Sequence, residues 1–408
     1  MLSLKVVVWQ SPRKYEFPGK GKSINKLIEK YQREFSTVFS GRRAFSFWKG
    51  RVALYAIFKA MGIGSGDEVI LPGYTCVMDV NPIKYLGAKP VYVDIEPDTF
   101  NINVNLLEEK ITQNTKAIIA QHTYGYPCNM DAIMNIAEKK GIPVVEDCCL
   151  ALGSKYREQL VGTFGVAAYF SFQWNKPYTT GLGGMAITSD MELAKKIRLL
   201  CEKELRQPSK MEVLLLAAQL VTYRAFVYPR TTAFAQSVFR YLTKKGAVVG
   251  SSSTCEFKPV MAPDFFKAMS SIQARSGLRQ LKKIEQNLAH RKKMAQLYDQ
   301  LLEEKGWPKR KYDSSIMEPV MVRYPVRITE KNKALIEAAK AGIELGSWFE
   351  CPLHPIETLL GAYDYKIGMC PEAEKASREV VNLPLHPRAN EKTAKRTVEF
   401  ITRFTKVI

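Results

Sequence analysis

The chain is poor in the residues that build metal centres, disulfide scaffolds and membrane spans. Among its 408 residues there are four histidines, His122, His290, His354 and His386, set far apart. The eight cysteines include one adjacent pair, Cys148 and Cys149, and no C-x-x-C spacing. Zinc-ribbon or redox-motif chemistry is therefore not expected, nor is a bound metal. Eight cysteines in so long a chain do not form a disulfide framework, so a reducing, cytoplasmic setting is the simplest expectation. No segment reaches the ~20 apolar residues of a membrane-spanning helix. The opening M-L-S-L-K-V-V-V-W-Q holds an apolar run too short for a signal peptide. Internal repeats and low-complexity tracts are missing as well.

The composition that remains is 46% hydrophobic and 25% charged, as in a folded globular protein of two lobes. Acidic residues are in deficit: 40 against 60 basic ones, a net charge of +20. That balance fits anionic substrates, an acidic membrane surface, nucleic acid, or simply a basic surface.

Apolar residues recur at helical spacing from Ile24 to Val38, and again in R-V-A-L-Y-A-I-F-K-A-M after Gly50, where Gly62 and Gly64 stop the run. Short apolar runs then alternate with helical ones such as Met130–Lys140. The strand candidates are Glu68–Leu71, Lys89–Val93, Ala117–Gln121, Ile142–Glu146 and Val166–Phe172. This alternation predicts an α/β fold, a mainly parallel sheet flanked by helices, followed by a smaller C-terminal α+β domain. Ligands of such sheets gather at the carboxyl ends of the strands. The G-L-G-G of Gly181–Gly184 lacks dinucleotide-fingerprint spacing and reads as a turn into a strand Met185–Thr188. One long helix is expected over 270–305. The domain expectation is a large cofactor-binding domain over 1–285 and a small domain over 286–408, with 204–250 as an amphipathic helical insertion.

Asp147 closes the run V-V-E-D, and a carboxylate at the end of a buried strand is costly without a positive partner. Lys176 follows the next strand, in S-F-Q-W-N-K-P-Y-T-T-G. A lysine at the mouth of a sheet suits imine chemistry, because burial favours the neutral amine that attacks a carbonyl. A neighbouring aspartate would keep a pyridinium nitrogen protonated. Taken singly, neither residue excludes an ordinary cap or a solvated lysine.

Longer stretches resemble the DegT/DnrJ-type sugar aminotransferase family, a group of fold type I pyridoxal-phosphate enzymes. They are G-D-E-V-I-L-P-G-Y-T, G-A-K-P-V-Y-V-D-I-E-P-D-T-F-N-I, T-K-A-I-I-A-Q-H-T-Y-G-Y-P-C-N-M-D, G-I-P-V-V-E-D, V-G-T-F-G, S-S-I-Q-A-R-S-G-L-R-Q-L-K-K-I-E, C-P-L-H-P and N-L-P-L-H-P. The resemblance implies pyridoxal 5'-phosphate as cofactor, bound as a Schiff base on Lys176 with Asp147 at the ring nitrogen. It places Ser171, Gly50 and Arg51 at the cofactor phosphate, the last two opening a helix whose N–H groups attract anions. It also implies an amino-acid donor, glutamate, a nucleotide-linked keto-sugar acceptor, and a homodimer; nucleic acid is not an expected partner. The chain departs from the family pattern at several positions. Leu150 stands where Gln or His is usual, Cys76 where an aromatic ring stacks on the cofactor (with Tyr74 as a substitute), and Pro177 follows the lysine. Phe266-Lys267-Ala268-Met269 replaces the Asn-Tyr-Arg-Met that reaches the neighbouring subunit's cofactor, and Lys267 offers a point charge there. His122, Tyr124 and His354 are candidate substrate-binding residues.

The stretch 204–250 matches nothing in the family core. Leu214, Leu215, Leu216, Leu220 and Val221 give an apolar surface, and Phe226, Tyr228, Phe234, Phe239 and Tyr241 lie among Arg224, Arg230, Arg240, Lys244 and Lys245. Two readings follow: a flap packed on the protein, which is favoured, or a peripheral helix pair on an anionic bilayer. The second would suit a lipid-linked or other non-sugar ketone at a membrane surface. A regulatory protein that keeps the fold without catalysis is a further alternative, which the presence of both Lys176 and Asp147 argues against.

Overall fold

A computed structural model describes residues 25–223 and 254–404. Seven strands form the central sheet, in the spatial order Arg43–Phe47, Gly184–Thr188, Ala167–Ser171, Val144–Asp147, Thr115–Gln121, Glu68–Pro72 and Lys89–Val93. Only Gly184–Thr188 runs against the rest. The period-2 rule decides which residues face which layer. Val69, Leu71, Ala117, Ile119 and Val145 join the core under helix Gly50–Met61, while Ile70, Ile118, Ala120 and Val144 pack with Ile133 and Ala137 of helix Met130–Lys140.

Helix ends follow their capping chemistry. Met130–Lys140 begins at Asn129, whose side chain accepts from the Ala132 amide, and stops at left-handed Gly141. Gly62 ends Gly50–Met61 in the same conformation. The first helix is Lys26–Val38, capped by Asn25. Strand Arg43–Phe47 was not expected from the sequence: R-A-F-S-F is short, and its edge place comes from pairing with Gly184–Thr188.

The single helix expected over 270–305 is two, Ser271–Leu281 and Ile284–Glu303, broken at Lys282 and Lys283. The first starts at a capping box between Ser270 and Gln273 and packs on Lys26–Val38; the second packs on Glu391–Ile401. Clustered Arg279, Lys282 and Lys283 also weaken a continuous turn there by like-charge repulsion. Beyond it, strands Tyr324–Arg327 and Val380–Leu383 pair antiparallel, with helices Lys331–Lys340 and Pro371–Glu379 nearby.

Within the 204–250 stretch, helix Lys210–Thr222 starts at a Ser209/Glu212 capping box. Leu216 and Leu220 are buried with Trp48, Trp174 and Leu182, so this helix lies on the loop that carries Lys176. Met211, Leu214 and Val221 are exposed. The aromatic and basic residues singled out from Arg224 to Lys245 lie outside the described residues. No helix among the described residues is long and apolar enough to cross a membrane.

Candidate active site at the carboxyl ends of the strands

Lys176 sits in the loop after strand Ala167–Ser171, its amide donating to the Gln173 carbonyl at 3.0 Å. The loop is pinned on both sides. Buried Tyr178 donates to the Gly277 carbonyl at 2.7 Å and pairs with the Tyr31 hydroxyl at 2.9 Å; Asn287 donates to the Pro177 carbonyl at 2.6 Å. Two cavities meet at Lys176. The first, about 490 Å³ with its open mouth, is walled by Lys49, Gly50, Arg51, Cys76, Asp79 and Ser171 among others.

One end of this cavity is built for an anion. Helix Gly50–Met61 starts there without a side-chain cap, so its first amides remain available. A Cβ on Gly50 would lie 2.7 Å from the Ser171 Cβ, so only glycine lets the helix start meet the strand end this closely. Arg51 pairs with Glu256 at 2.5 Å, and the other Glu256 oxygen lies 3.7 Å from Lys49 Nζ. Burial pulls Lys49 down to about 8 against the attraction of Glu256, with the Arg51 and Lys267 charges adding to the fall. Lys49 and Glu256 went unmarked in the sequence, since neither lies in a recognisable motif. Lys267 is spoken for: it bonds Glu212 at 2.5 Å and Asp264 at 2.6 Å of the same chain.

Two carboxylates lie near one another here, one in the wall and one behind it. Asp147 is buried and accepts the Cys149 amide at 2.8 Å, and the cavity wall itself carries Asp79. Tyr169 donates to Asp79 at 2.8 Å and Thr75 at 3.3 Å. Burial, with the Asp147 charge behind it, raises the Asp79 carboxyl to about 7. Asp79 also escaped the sequence reading, because an acid in the first turn of a helix, here Val77–Tyr85, is ordinary. Cys76 is in the wall, its thiol held neutral by burial, which pushes it up to about 12.

The remaining candidates do not all converge. Tyr74 lies beneath the wall: its hydroxyl is 2.9 Å from that of Tyr124 and accepts the Phe349 amide at 3.2 Å. Tyr124 donates to the Trp348 carbonyl. Both tyrosines therefore support the Trp348–Phe349 segment and line neither cavity. His122 is buried away from the cavities. Its Nδ1 accepts the Cys128 amide at 3.0 Å, which leaves the ring proton on Nε2, 3.2 Å from Glu146. Glu146 also accepts the amides of Gly162, Phe164 and Gly165, so His122, Glu146 and nearby Cys148 form a satisfied structural cluster. His354 pairs in parallel register beside Cys76, and burial, opposed by Glu350 and reinforced by the Lys331 and Lys176 charges, lowers it to about 4. It is a neutral ring close to the lysine.

A parallel-sheet enzyme with a lysine at the strand ends, a carboxylate pair and an anion cradle belongs to the class that works on carbonyl–amine chemistry. The chain is a member of the DegT/DnrJ/EryC1/StrS aminotransferase family, whose profile matches residues 19–402. It is 32% identical to the GDP-perosamine synthase of Caulobacter vibrioides over 92% of this chain and 89% of that protein. Over a shorter stretch of 171 residues, 42% of this chain and 47% of the relative, it is 45% identical to the GDP-perosamine synthase of Escherichia coli O157:H7. Among solved structures it is similar to DesV of S. venezuelae in complex with a ketimine intermediate: 25% identity, TM-score 0.72, 94% of this chain and 91% of that one.

Proposed function

We propose that this aminotransferase uses pyridoxal 5'-phosphate on Lys176 to move the amino group of glutamate to the keto carbon of a nucleotide-linked sugar. The observation that supports the reading is that Lys176, Gly50, Ser171 and Asp79 line one cavity, with the Asp147 charge acting on Asp79. The residues fit the cofactor. Gly50 opens the helix beside Ser171 with no side chain over its amides, Ser171 adds a hydroxyl, and Arg51 and Lys49, both paired with Glu256, bring positive charge to the same wall. Asp147 is the partner for a ring nitrogen, fixed by the Cys149 amide. When bound, the cofactor supplies an electron sink for charge at the carbon next to nitrogen.

The chain's own residues divide the remaining work. Lys176 binds the cofactor and carries the proton between carbons, which requires its amine to be neutral when it acts as base. Trp174, Leu182, Leu216 and Leu220 close one side of its loop and keep water from it. The nucleotide-linked sugar in the two relatives' names is the reason for choosing that acceptor. A homodimer whose second copy completes the site also belongs to this reading, although Lys267 makes its bonds within one chain. The packed flap is preferred over a bilayer contact for the 204–250 stretch, because Leu216 and Leu220 bury against the lysine loop.

The test is a pair of half-reactions on the purified holoenzyme, followed by cofactor absorbance. Glutamate should convert the cofactor to its amino form, and a GDP-linked keto sugar should restore the original band. A protein that responds to neither reactant contradicts the proposal.

A further inference from the structure

The second cavity, about 720 Å³ with its mouth, lies on the far side of the lysine loop and shares Lys176 with the first. Its wall is strongly basic: Arg291, Arg323, Arg388 and His386 face one carboxylate, Glu344. Most of these charges are engaged. Arg291 donates to Asn287 at 2.9 Å and to the Val322 carbonyl at 2.8 Å, and Glu344 accepts from His386 at 2.7 Å. Arg323 differs. Its guanidinium makes no direct hydrogen bond or ion pair with any described residue; it sits over the Trp348 ring, 5.1 Å from centroid to guanidinium carbon, and Glu344 attracts it only at longer range.

Trp348 is a fixed platform. Its amide donates to Asn382 Oδ1 at 2.8 Å and its carbonyl accepts the Tyr124 hydroxyl. Gly346 bonds Asn382 through both backbone groups, at 2.8 and 2.9 Å. A Cβ on Gly346 would stand 2.5 Å from Arg323 Nη1, so glycine is what lets the guanidinium settle beside this segment. Lys176 Nζ also lies 5.1 Å from the centre of the same indole. The two cations are therefore no more than about 10 Å apart, both against one ring. A half-buried guanidinium with five donors and no direct acceptor among the described residues is an open arrangement. It is a suitable one where an anion arrives with the reactant.

We propose that Arg323, seated on Trp348, holds the anionic group of a reactant while the reacting carbon stands at Lys176. The chemistry is bidentate recognition of carboxylate or phosphate oxygens by a planar guanidinium. The upper bound of about 10 Å leaves room for it. An acidic amino acid spans roughly 5 Å from amine to distal carboxyl carbon, and a guanidinium–carboxylate pair adds about 4 Å. A sugar bearing a diphosphate covers a similar span, so donor carboxylate and acceptor phosphate are the two sources of this one chemistry. The inference rests on the proposed amino transfer and adds to it the residue that would select the reactant.

The experiment compares the parent holoenzyme with Arg323→Gln and Arg323→Lys in both half-reactions. Calorimetric titrations with glutarate and with inorganic pyrophosphate run alongside. Arg323→Gln should raise the half-saturating concentration of the anionic reactant on the order of 10–100-fold, the loss expected for a charge-assisted hydrogen-bond pair. Arg323→Lys should recover only part, since an ammonium lacks the fork. A shift in the glutamate arm with weakened glutarate binding assigns the carboxylate; a shift in the sugar arm with weakened pyrophosphate binding assigns the phosphate. Parent-like half-reactions and parent-like binding of both probes by Arg323→Gln overturn the proposal and leave the amino transfer standing. If the parent itself performs no half-reaction, the proposed function fails, and the two probe titrations still decide whether Arg323 binds anions. Arg323 gives up no protein hydrogen bond on substitution, so the fold should hold; should Arg323→Gln fail to fold, Arg323→Lys carries the comparison.

Discussion

The cavity at the strand ends and the cavity beyond the lysine loop share Lys176 but are assembled differently. The first draws most of its wall from local segments that end strands or open helices, at 49–51, 76–79, 149, 171–176 and 182–183. The second gathers residues from 174–179, 223, 280–291, 322–323, 344 and 384–388, segments far apart in the chain that include the ends of the two-stranded pair Tyr324–Arg327 and Val380–Leu383. Charge follows the same division. In the first cavity Arg51 and Lys49 are met by Glu256 within the chain, whereas in the second Arg323 rests on an aromatic ring and meets Glu344 only at longer range. A site made of strand ends comes with its electrostatics nearly balanced and suits a resident group. A site made of distant segments leaves a guanidinium without a direct partner and suits a group that comes and goes.

Three perturbations separate the two, beginning with the largest. Leu216→Ala removes a fully buried side chain between Trp174 and Leu182 and should cost about 2–5 kcal/mol. The same change at exposed Leu214 should cost little. Chemical denaturation measures the difference, and equal losses would mean that the helix does not rest on the lysine loop. Gly50→Ala forces a Cβ to 2.7 Å from Ser171 and should destabilise by about 1–3 kcal/mol. Cofactor affinity should fall with it, while glutarate and pyrophosphate binding at the second cavity stays unchanged. Loss of both would deny that the cavities are independent.

The smallest effect concerns Asp79. Its folded-state carboxyl, raised to about 7, keeps its proton where the unfolded chain has released it. The folded state therefore binds more protons between the ordinary aspartate range, about 4, and pH 7, and stability of the cofactor-free protein falls as pH rises through that window. Asp79→Asn should flatten that fall and be the more stable form at pH 8, measured as Tm against pH. An unchanged slope would show that burial does not hold the proton on Asp79.

How much of this was legible in the sequence follows the same contrast. Strand Lys89–Val93 and helix Met130–Lys140 were readable because hydrophobic period and end caps coincide there. The wall of the first cavity was readable in part, at Lys176, Ser171, Gly50, Arg51 and Cys76, because it lies where strands end. Asp79 and Lys49 were not, since a first-turn acid and a lone lysine carry no pattern. His122 and Tyr124, named from their strand-end motif, are engaged in structural hydrogen bonds, and burial of their polar atoms could not be seen from spacing. Arg323 and Trp348 were invisible for a different reason. Their meeting depends on the Gly346–Asn382 backbone pairing, which only the folded chain brings about.

The account stands most directly on the bond between cofactor and lysine. Reduction of the holoenzyme with borohydride, followed by peptide mapping, should place the label on Lys176 alone. In the same preparation Lys176→Ala should retain its fold while losing both the label and turnover. A label on Lys49 or any other lysine, or a Lys176→Ala protein that still turns over, would contradict it.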